Sequence, residues 1–427
     1  MKKISAFLSL LAGILFPLHA DIVPRKDGKP ARYAGIFDTR AVNIRDHAPR
    51  KGEFRGIWVA VVENIDFPAH TSATAFQKDF RTVVSNAKQH GFTAIIFQIR
   101  SNCDAFYPSK LAPWSRWLAG QEGVGIKNFD PLAFMISETH RAGLEFHAWF
   151  NPYRVTNKTK LSKNAYLKTL APGNFARLNP DCVMVKKHPD GNQLLLNPGE
   201  PQVIYHLCNV VGEVIRNYPV DAVHFDDYFY PYEKITDEDI AAYRRNNPKK
   251  LPLDAWRRNN TDTLIYNVKL TVTRNNILQK RRVKFGISPF GIWANKKSFS
   301  IGSLTGGKES YNTIFADTRK WVKYRYIDYI APQIYWDFNH DVAAYAALTD
   351  WWCSTVKGTE VKLYIGIGAY NGGRWHKNEL INQVRYNRMH PEVDGAAFFS
   401  YRSFFGKERN AGALRLLRFI QGQRKKR

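Results

Sequence analysis

The chain has 427 residues, of which 44% are hydrophobic and 14% aromatic, and its formal net charge is +26. The length allows one large barrel-type domain or two ordinary domains, and the apolar fraction is enough to bury a sizeable core. Beyond residue 20, no segment is apolar enough to span a membrane. The cysteines match no zinc-site spacing, and they allow up to two disulfides whose pairing the sequence does not define: Cys103, Cys182, Cys208 and Cys353.

Residues 1–20 are predicted to be a secretory signal peptide. Lys2 and Lys3 form its basic start, residues 4–15 its apolar stretch and residues 18–20 its cleavage site. The apolar stretch is shorter than the ~20 residues that a membrane span needs, so an anchoring helix is the weaker alternative. No cysteine precedes Cys103, which excludes a lipoprotein. We therefore expect an exported protein, periplasmic or extracellular, with no membrane span in its mature form.

The positive charge narrows the class of partner. An exported basic protein suits acidic envelope polymers or an anionic membrane surface better than nucleic acid. A basic solvated surface without a specific partner is the alternative.

Strand and helix patterns alternate along most of the chain. Residues 21–52 are basic and predicted to be extended, and residues 53–423 contain eight strand–helix units. Two polar insertions interrupt them, at about 155–195, predicted to be a loop, and at about 232–260. The alternation predicts a parallel sheet, and eight units favour a closed (β/α)8 TIM barrel whose active site lies at the C-terminal strand ends. A doubly wound open sheet is the alternative, but no GxGxxG follows the first strand, and no P-loop or GxSxG is present.

The fourth strand ends in DAVHFDDYFYPY, residues 221–232. Side chains alternate between the two faces of a strand, so Val223 and Phe225 share one face while His224 and Asp226 share the other. If helices cover the first face, Asp226 closes the strand and points into a cleft. Asp227 follows in the loop.

The same alternation predicts which side chains converge at the barrel mouth. The inward set, with the loop residues that follow it, comprises carboxylates, histidines, an arginine pair and aromatics, a combination typical of a carbohydrate site. Glycosidic cleavage needs two carboxyl groups, and Asp226 and Asp337 are the acidic residues that close strands on the inward face. The other residues are predicted to bind substrate: Arg100, Asp104, His147, Trp149, Asn151, Tyr153, Arg154, His224, Asp227, Tyr228, Tyr335 and Trp336.

Each assignment has a structural alternative. Asp226 could bind a metal with Asp227 and His224, although no third strand offers a clear ligand, and we predict no metal or cofactor. Asp337 could cap the following helix. The remaining alternatives are core positions for His147, His224 and Trp149, and an ion pair between Arg100 and either Asp104 or Glu145.

Five stretches carry a family resemblance over about residues 50–405. They are EFRGIWVAVVENIDFP, FQIRSNCDAFYPS with the following PWS, LEFHAWFNPYR, LLLNPGEPQV and VDAVHFDDYFYPY. The chain resembles the glycosyl-hydrolase-like family 10 proteins of bacterial envelopes, a barrel family placed near the α-galactosidase superfamily. That resemblance implies a nucleophile at the end of strand four, Asp226, and an acid/base at the end of strand six, Asp337. The family's usual LDPG reads LNPG here, so no acidic role is expected at Asn197.

The resemblance also implies a substrate class, peptidoglycan glycan strands that lack stem peptides. We therefore expect an exported glycoside hydrolase. Asp226 would be its nucleophile, or its base if the configuration inverts, and Asp337 its general acid. Asp227 and His224 would hydrogen-bond the sugar or orient Asp226. A non-catalytic glycan-binding barrel, a hydrolase of a neutral polysaccharide and a metal-dependent hydrolase are the alternatives.

Overall fold

A computed structural model describes residues 20–424 and shows a closed parallel barrel of eight strands. Each strand pairs with the next, and β8 pairs with β1 to close the barrel. The predicted (β/α)8 fold is therefore confirmed, whereas the predicted signal peptide lies, except for Ala20, outside the described residues. The strands are β1 Phe54–Val59, β2 Ala94–Arg100, β3 Glu145–Phe150, β4 Ala222–Phe225, β5 Lys284–Ile287, β6 in two pieces, Tyr329–Ile330 and Gln333–Ile334, β7 Lys362–Gly368 and β8 Val393–Phe399.

One principal helix follows each strand and covers the outside of the barrel. Several of these helices begin at a side chain that caps a free backbone N–H group; for example, Ser72 accepts from Ala75 N, and Asp130 accepts from Ala133 N. The principal helices are α1 Ala73–Gln89, α2 Pro131–Arg141, α3 Pro201–Asn217, α4 Leu253–Gln279, α5 Thr318–Lys323, α6 Tyr345–Val356, α7 Glu379–Met389 and α8 Ala411–Arg424.

The barrel has an outer core beneath the helices and a smaller inner core. Outward strand residues such as Phe97 and Phe225 pack in the outer core. The inner core combines large aromatic rings with small alanine side chains, and the rings of Phe54 and Tyr364 stack at 3.9 Å. Gly286 makes room for it, because a Cβ at that position would lie 2.0 Å from the ring of Tyr329. The interior is thus filled at the N-terminal end, and the space for a ligand is at the C-terminal mouth.

The first insertion is not the loop that its polar composition predicts. It contains a three-stranded antiparallel sheet of Arg154–Thr159, Val183–His188 and Gly191–Leu196, with short helices between the first two strands. The sheet is stabilised by the burial of Leu194–Leu196 and Val183. In the sequence, the surrounding lysines and asparagines make these apolar residues hard to recognise as strands. The second insertion contains a helix, Ile240–Arg245, and the first turns of α4.

The N-terminal segment is tied to the barrel near α6 and α7. Its two short strands, Asp21–Ile22 and Asn43–Ile44, pair in antiparallel fashion. Arg385 bridges Asp21 and Asp46, and Tyr33 donates to Asp350. All four cysteines are free thiols. Between residues 20 and 424, no helix has the length and apolar character that crossing a membrane requires.

Candidate active site

Asp226 and Asp227 lie at the C-terminal end of β4, as the strand alternation predicts. Val223 and Phe225 are fully buried in the outer core, whereas Ala222 lies in the inner core. The carboxyl groups that follow are also buried, since the exposed fractions of Asp226 and Asp227 are 3% and 2%. Burying two adjacent carboxyl groups lowers the stability of the folded protein. The pair is therefore a candidate for the catalytic residues.

Both aspartates line a cavity of about 280 Å³ at the barrel mouth. Side chains or loops from most of the strands contribute to it, and aromatic rings make up much of its wall. Six predicted site residues are in the lining: Trp149, Arg154, Asp226, Asp227, Tyr228 and Tyr335. The alternation also places Ser288 on the inward face, and it is in the lining. The other lining residues, outside the predicted catalytic and substrate-binding set, are Trp58, Ala60, Val62, Glu63, Ile65, Gln98, Asn157, Tyr232, Gln333, Tyr370 and Phe399.

The carboxyl group of Asp226 is held by two side chains from β3 and its exit. Trp149 Nε1 donates to Asp226 Oδ2 at 3.1 Å, and Asn151 Nδ2 donates to the same oxygen at 3.0 Å and to Oδ1 at 3.2 Å. The register pairs Trp149 with His224, which brings the indole beside the end of β4. Asn151 is itself fixed, because its Oδ1 accepts from Arg154 N at 3.0 Å.

Asp227 has a different kind of partner. The hydroxyl group of Tyr232 donates to Asp227 Oδ2 from five residues further along the chain. A hydroxyl group can donate or accept, whereas the N–H groups on Asp226 can only donate. Above the pair, the guanidinium carbon of Arg154 lies 4.3 Å from the ring centre of Tyr228.

Burial raises the pKa of both aspartates above the ordinary range. For Asp226 the positive charge of Arg154 lowers the pKa, and the neighbouring charge of Asp227 raises it. Two adjacent carboxyl groups in one buried site do not both ionise easily, so the pair retains a proton to higher pH than separate aspartates would.

A layer of histidine and tyrosine lies beneath the cavity floor. Trp58 Nε1 donates to His224 Nε2 at 3.2 Å, and Ser288 Oγ lies 2.9 Å from the same nitrogen. The hydroxyl group of Tyr329 lies 2.9 Å from Nδ1 of His224 and 3.0 Å from Nδ1 of His147. Burial lowers the pKa of His224 well below its ordinary value. His224 is therefore a neutral support for Trp58 and Ser288, while His147 lies deeper still.

Arg100 and Asp104 lie outside the lining. The register between β2 and β3 shifts after Gln98, which pairs with Trp149, so that Arg100 pairs with Phe150, a residue of the outer core. This bulge reverses the alternation and turns the fully buried Arg100 away from the mouth. Asp104 accepts from the backbone N–H groups of Ser101 and Asn102, directly after β2, at 3.0 and 2.9 Å.

Four further predicted residues also lie outside the lining. Asn151 and Tyr153 are fully buried behind it, and Asn151 acts on the site through Asp226. Trp336 packs against Phe290, with ring centres 5.7 Å apart. Asp337 is half-buried beside the loop to α6. Its charge raises the pKa of Glu379 on α7, so the two carboxyl groups are neighbours.

The residues that sequence reasoning missed come mainly from loops and from β1 and β8. Tyr232 is the last residue of the stretch 221–232, but the sequence does not show that the turn brings its side chain into contact with Asp227. Gln98 faces inward, and its Oε1 accepts from Val61 N at 3.1 Å and Val62 N at 3.0 Å. The loop held in this way carries Glu63, a lining carboxylate with a left-handed backbone (φ 53°).

Comparison with known proteins identifies the family of this chain. Residues 53–384 match the family described as Glycosyl hydrolase-like 10. The chain belongs to this family. The resemblance expected from the motifs is confirmed, and so is the enzyme class, a glycoside hydrolase.

Two relatives illustrate how similar this chain is to known proteins. Glycosyl hydrolase YngK of Bacillus subtilis is 41% identical over 375 residues, which cover 85% of this chain and 71% of the relative. Glycosyl hydrolase DigH of Escherichia coli K12 is 37% identical over 379 residues, covering 81% of this chain and 82% of the relative. Among solved structures, the PgaB (BpsB) glycoside hydrolase domain of Bordetella bronchiseptica has a TM-score of 0.53 at 13% identity. That match covers 85% of this chain and 98% of the other, and it supports the fold.

Proposed function

We propose that this glycoside hydrolase is exported and cleaves the glycan strands of a cell-envelope polysaccharide. The proposed substrate class is peptidoglycan glycan that lacks stem peptides. The observation that carries the proposal is the buried Asp226–Asp227 pair inside an aromatic-lined cavity. Carboxyl groups with raised pKa values supply the acid and base that glycoside hydrolysis needs, and aromatic faces stack on sugar rings.

Charge supports an acidic glycan over a neutral one. The whole chain carries +26, and the lining itself contains Arg154. Each disaccharide of a peptide-free peptidoglycan strand carries one lactyl carboxylate, so the positively charged protein attracts the strand, and added salt weakens this attraction. The signal-peptide pattern of residues 1–20 supports export to the compartment in which such strands occur.

Asp226 is proposed to be one of the two functional carboxyl groups. Its fixed hydrogen bonds to Trp149 and Asn151 hold it at the cavity floor. The assignment of Asp337 as the general acid stays a sequence-based prediction, since its carboxyl group lies near Glu379 and outside the lining.

The test is product analysis on purified cell-wall glycans. The protein is incubated with amidase-treated sacculi, intact sacculi and a neutral polysaccharide, with and without a chelator, and new reducing ends are measured. We expect chelator-insensitive release that is fastest from the amidase-treated sacculi, strongly reduced but still measurable in Asp226→Asn and retained in Asp181→Asn, an exposed position outside the cavity. Binding without cleavage would instead identify a glycan-binding barrel, and equal release from the neutral polymer would reject the substrate class.

Export has a separate test. Cell fractionation and N-terminal sequencing of the purified protein should place it outside the cytoplasm with its first residue at position 21. A cytoplasmic protein that retains Met1 would contradict the proposed location.

A further inference from the structure

Three carboxyl groups line the cavity within residues 20–424, and the two buried ones are consecutive in the chain. They belong to Asp226 and Asp227, while the third, Glu63, is exposed on the loop after β1. A mechanism with two protein carboxylates on opposite sides of the sugar needs them about 5 Å or more apart with the ring between them. Consecutive residues at one strand end approach the ring from the same side, because their Cα atoms are only ~3.8 Å apart. The buried pair therefore fits a reaction in which neither Asp226 nor Asp227 is the nucleophile.

The hydrogen bonds divide the pair into two roles. Both oxygens of Asp226 receive N–H donors, from Trp149 and Asn151, which favour the charged form. Asp227 faces the hydroxyl group of Tyr232 and the amide group of Gln333, and each of these groups can donate to a charged Asp227 or accept from a neutral one. The proton that the pair retains is therefore held best on Asp227, and the negative charge on Asp226.

An apolar wall stands beside the pair. The ring centres of Trp58 and Phe399 are 6.2 Å apart, and those of Phe399 and Tyr335 are 5.9 Å apart. All three rings line the cavity. A small apolar group attached to a sugar would be shielded from water against this wall. The neighbouring carboxylate of Asp226 can accept a hydrogen bond from an N–H group. These two features together match an N-acetyl substituent.

We propose that the 2-acetamido group of the substrate is the nucleophile, so that the enzyme cleaves at N-acetylhexosamine residues by substrate assistance. The acetamido carbonyl oxygen forms a bond to C1 as the bond from C1 to the leaving oxygen breaks. The proton of Asp227 passes to that leaving oxygen. The carboxylate of Asp226 accepts a hydrogen bond from the N–H group of the cyclic oxazolinium ion. Water then attacks C1 as the bond from C1 to the acetamido oxygen breaks, and one proton of the water passes to Asp227. This step restores the acetamido group, and the two displacements together retain the configuration at C1. This inference rests on the proposed function and deepens it.

The experiment compares two acylations of one glycan. Peptide-free glycan strands are de-N-acetylated and then re-acylated with either acetyl or trifluoroacetyl groups, which leaves the strand charge and the amide N–H unchanged. Fluorine makes the carbonyl oxygen a poorer nucleophile, so we expect a rate roughly tenfold or more lower on the trifluoroacetyl strand. N-acetylglucosamine-thiazoline, which mimics the oxazolinium ion, should inhibit more strongly than N-acetylglucosamine. Equal rates on the two strands, or cleavage that the thiazoline does not inhibit, would overturn the proposal.

Matched variants separate this inference from the proposed function. Asp226→Asn should reduce the ratio of the acetyl to the trifluoroacetyl rate, and Asp181→Asn should leave that ratio unchanged. Thiazoline binding, followed as an increase in melting temperature, is readable without turnover. If neither strand is cleaved but the thiazoline binds, the proposed polysaccharide is wrong and the acetamido site stands. If neither strand is cleaved and the thiazoline does not bind, both proposals fail.

Discussion

Trp149 and Asp226 are joined by an indole-to-carboxylate hydrogen bond of 3.1 Å between neighbouring strands of the barrel. Trp149→Phe keeps an aromatic ring and removes the donor. A lost hydrogen bond to a charged group should lower kcat/KM by about 10- to 100-fold. Since the donor lowers the pKa of Asp226, its loss should also shift the acidic limb of the pH–rate profile to higher pH. Trp117→Phe is the control, because that indole donates to Asn102 outside the cavity. An unchanged profile in Trp149→Phe would show that the bond does not tune the site.

Asp227 and Asp337 are competing candidates for the general acid, and leaving-group dependence separates them. Removing the acid matters most when the departing oxygen is a poor leaving group. We expect Asp227→Asn to show this dependence across a series of substrates with graded leaving groups. We expect Asp337→Asn to affect all members of the series similarly, because Asp337 lies outside the lining. The reverse pattern would establish the sequence-based assignment of Asp337.

Arg154 should govern how the enzyme attracts an acidic glycan. Arg154→Gln removes the lining guanidinium that stacks on Tyr228. We expect a higher KM on peptide-free peptidoglycan strands and a weaker dependence of KM on ionic strength. Arg258→Gln is the matched control, since Arg258 stacks on Tyr311 at 4.2 Å and is not in the lining. Equal effects of both substitutions would indicate a general charge effect and no role at the mouth.

Gln98 should stabilise the loop after β1. In Gln98→Leu, the buried N–H groups of Val61 and Val62 lose their shared acceptor. An unsatisfied buried donor costs about 1–3 kcal/mol, so the free energy of unfolding should fall by a comparable amount or more. Urea denaturation measures it, with Gln121→Leu, an exposed glutamine, as the control. Because the loop places Glu63 in the cavity lining, the variant should also be less active at urea concentrations at which it is still folded. A fully stable, fully active variant would contradict the role.

Glu379 should make stability depend on pH. Burial, together with the charge of Asp337, raises the pKa of Glu379 from 4.5 to about 8. The folded state therefore binds more protons than the unfolded state between these values, so stability falls as pH rises from about 4.5 to 8 and levels off above. Glu379→Gln keeps an amide oxygen to accept from Phe338 N, and it removes the titration. The difference in unfolding free energy between pH 5 and pH 8 should shrink by an amount on the order of a few kcal/mol. An unchanged difference would mean that Glu379 is charged when folded.

The sequence by itself determined the barrel and the position of its central carboxyl group. Eight strand–helix units leave a closed parallel sheet as the arrangement that buries all the apolar strand faces. Within β4, the alternation holds from Ala222 to Phe225, and it placed Asp226 at the mouth correctly. The same reasoning selected Trp149 on β3, which lies in the lining.

Tertiary structure decided the rest of the site, because alternation is informative only while a strand stays regular. One bulge after Gln98 turned Arg100 into the outer core. β6 is broken into two short pieces, and Asp337 lies beyond them near Glu379. The contact of Tyr232 with Asp227 and the place of Glu63 in the lining depend on loop conformations that no local periodicity encodes. The sequence determines which face a regular strand presents, while packing between distant segments fixes where bulges, broken strands and loops bring their side chains.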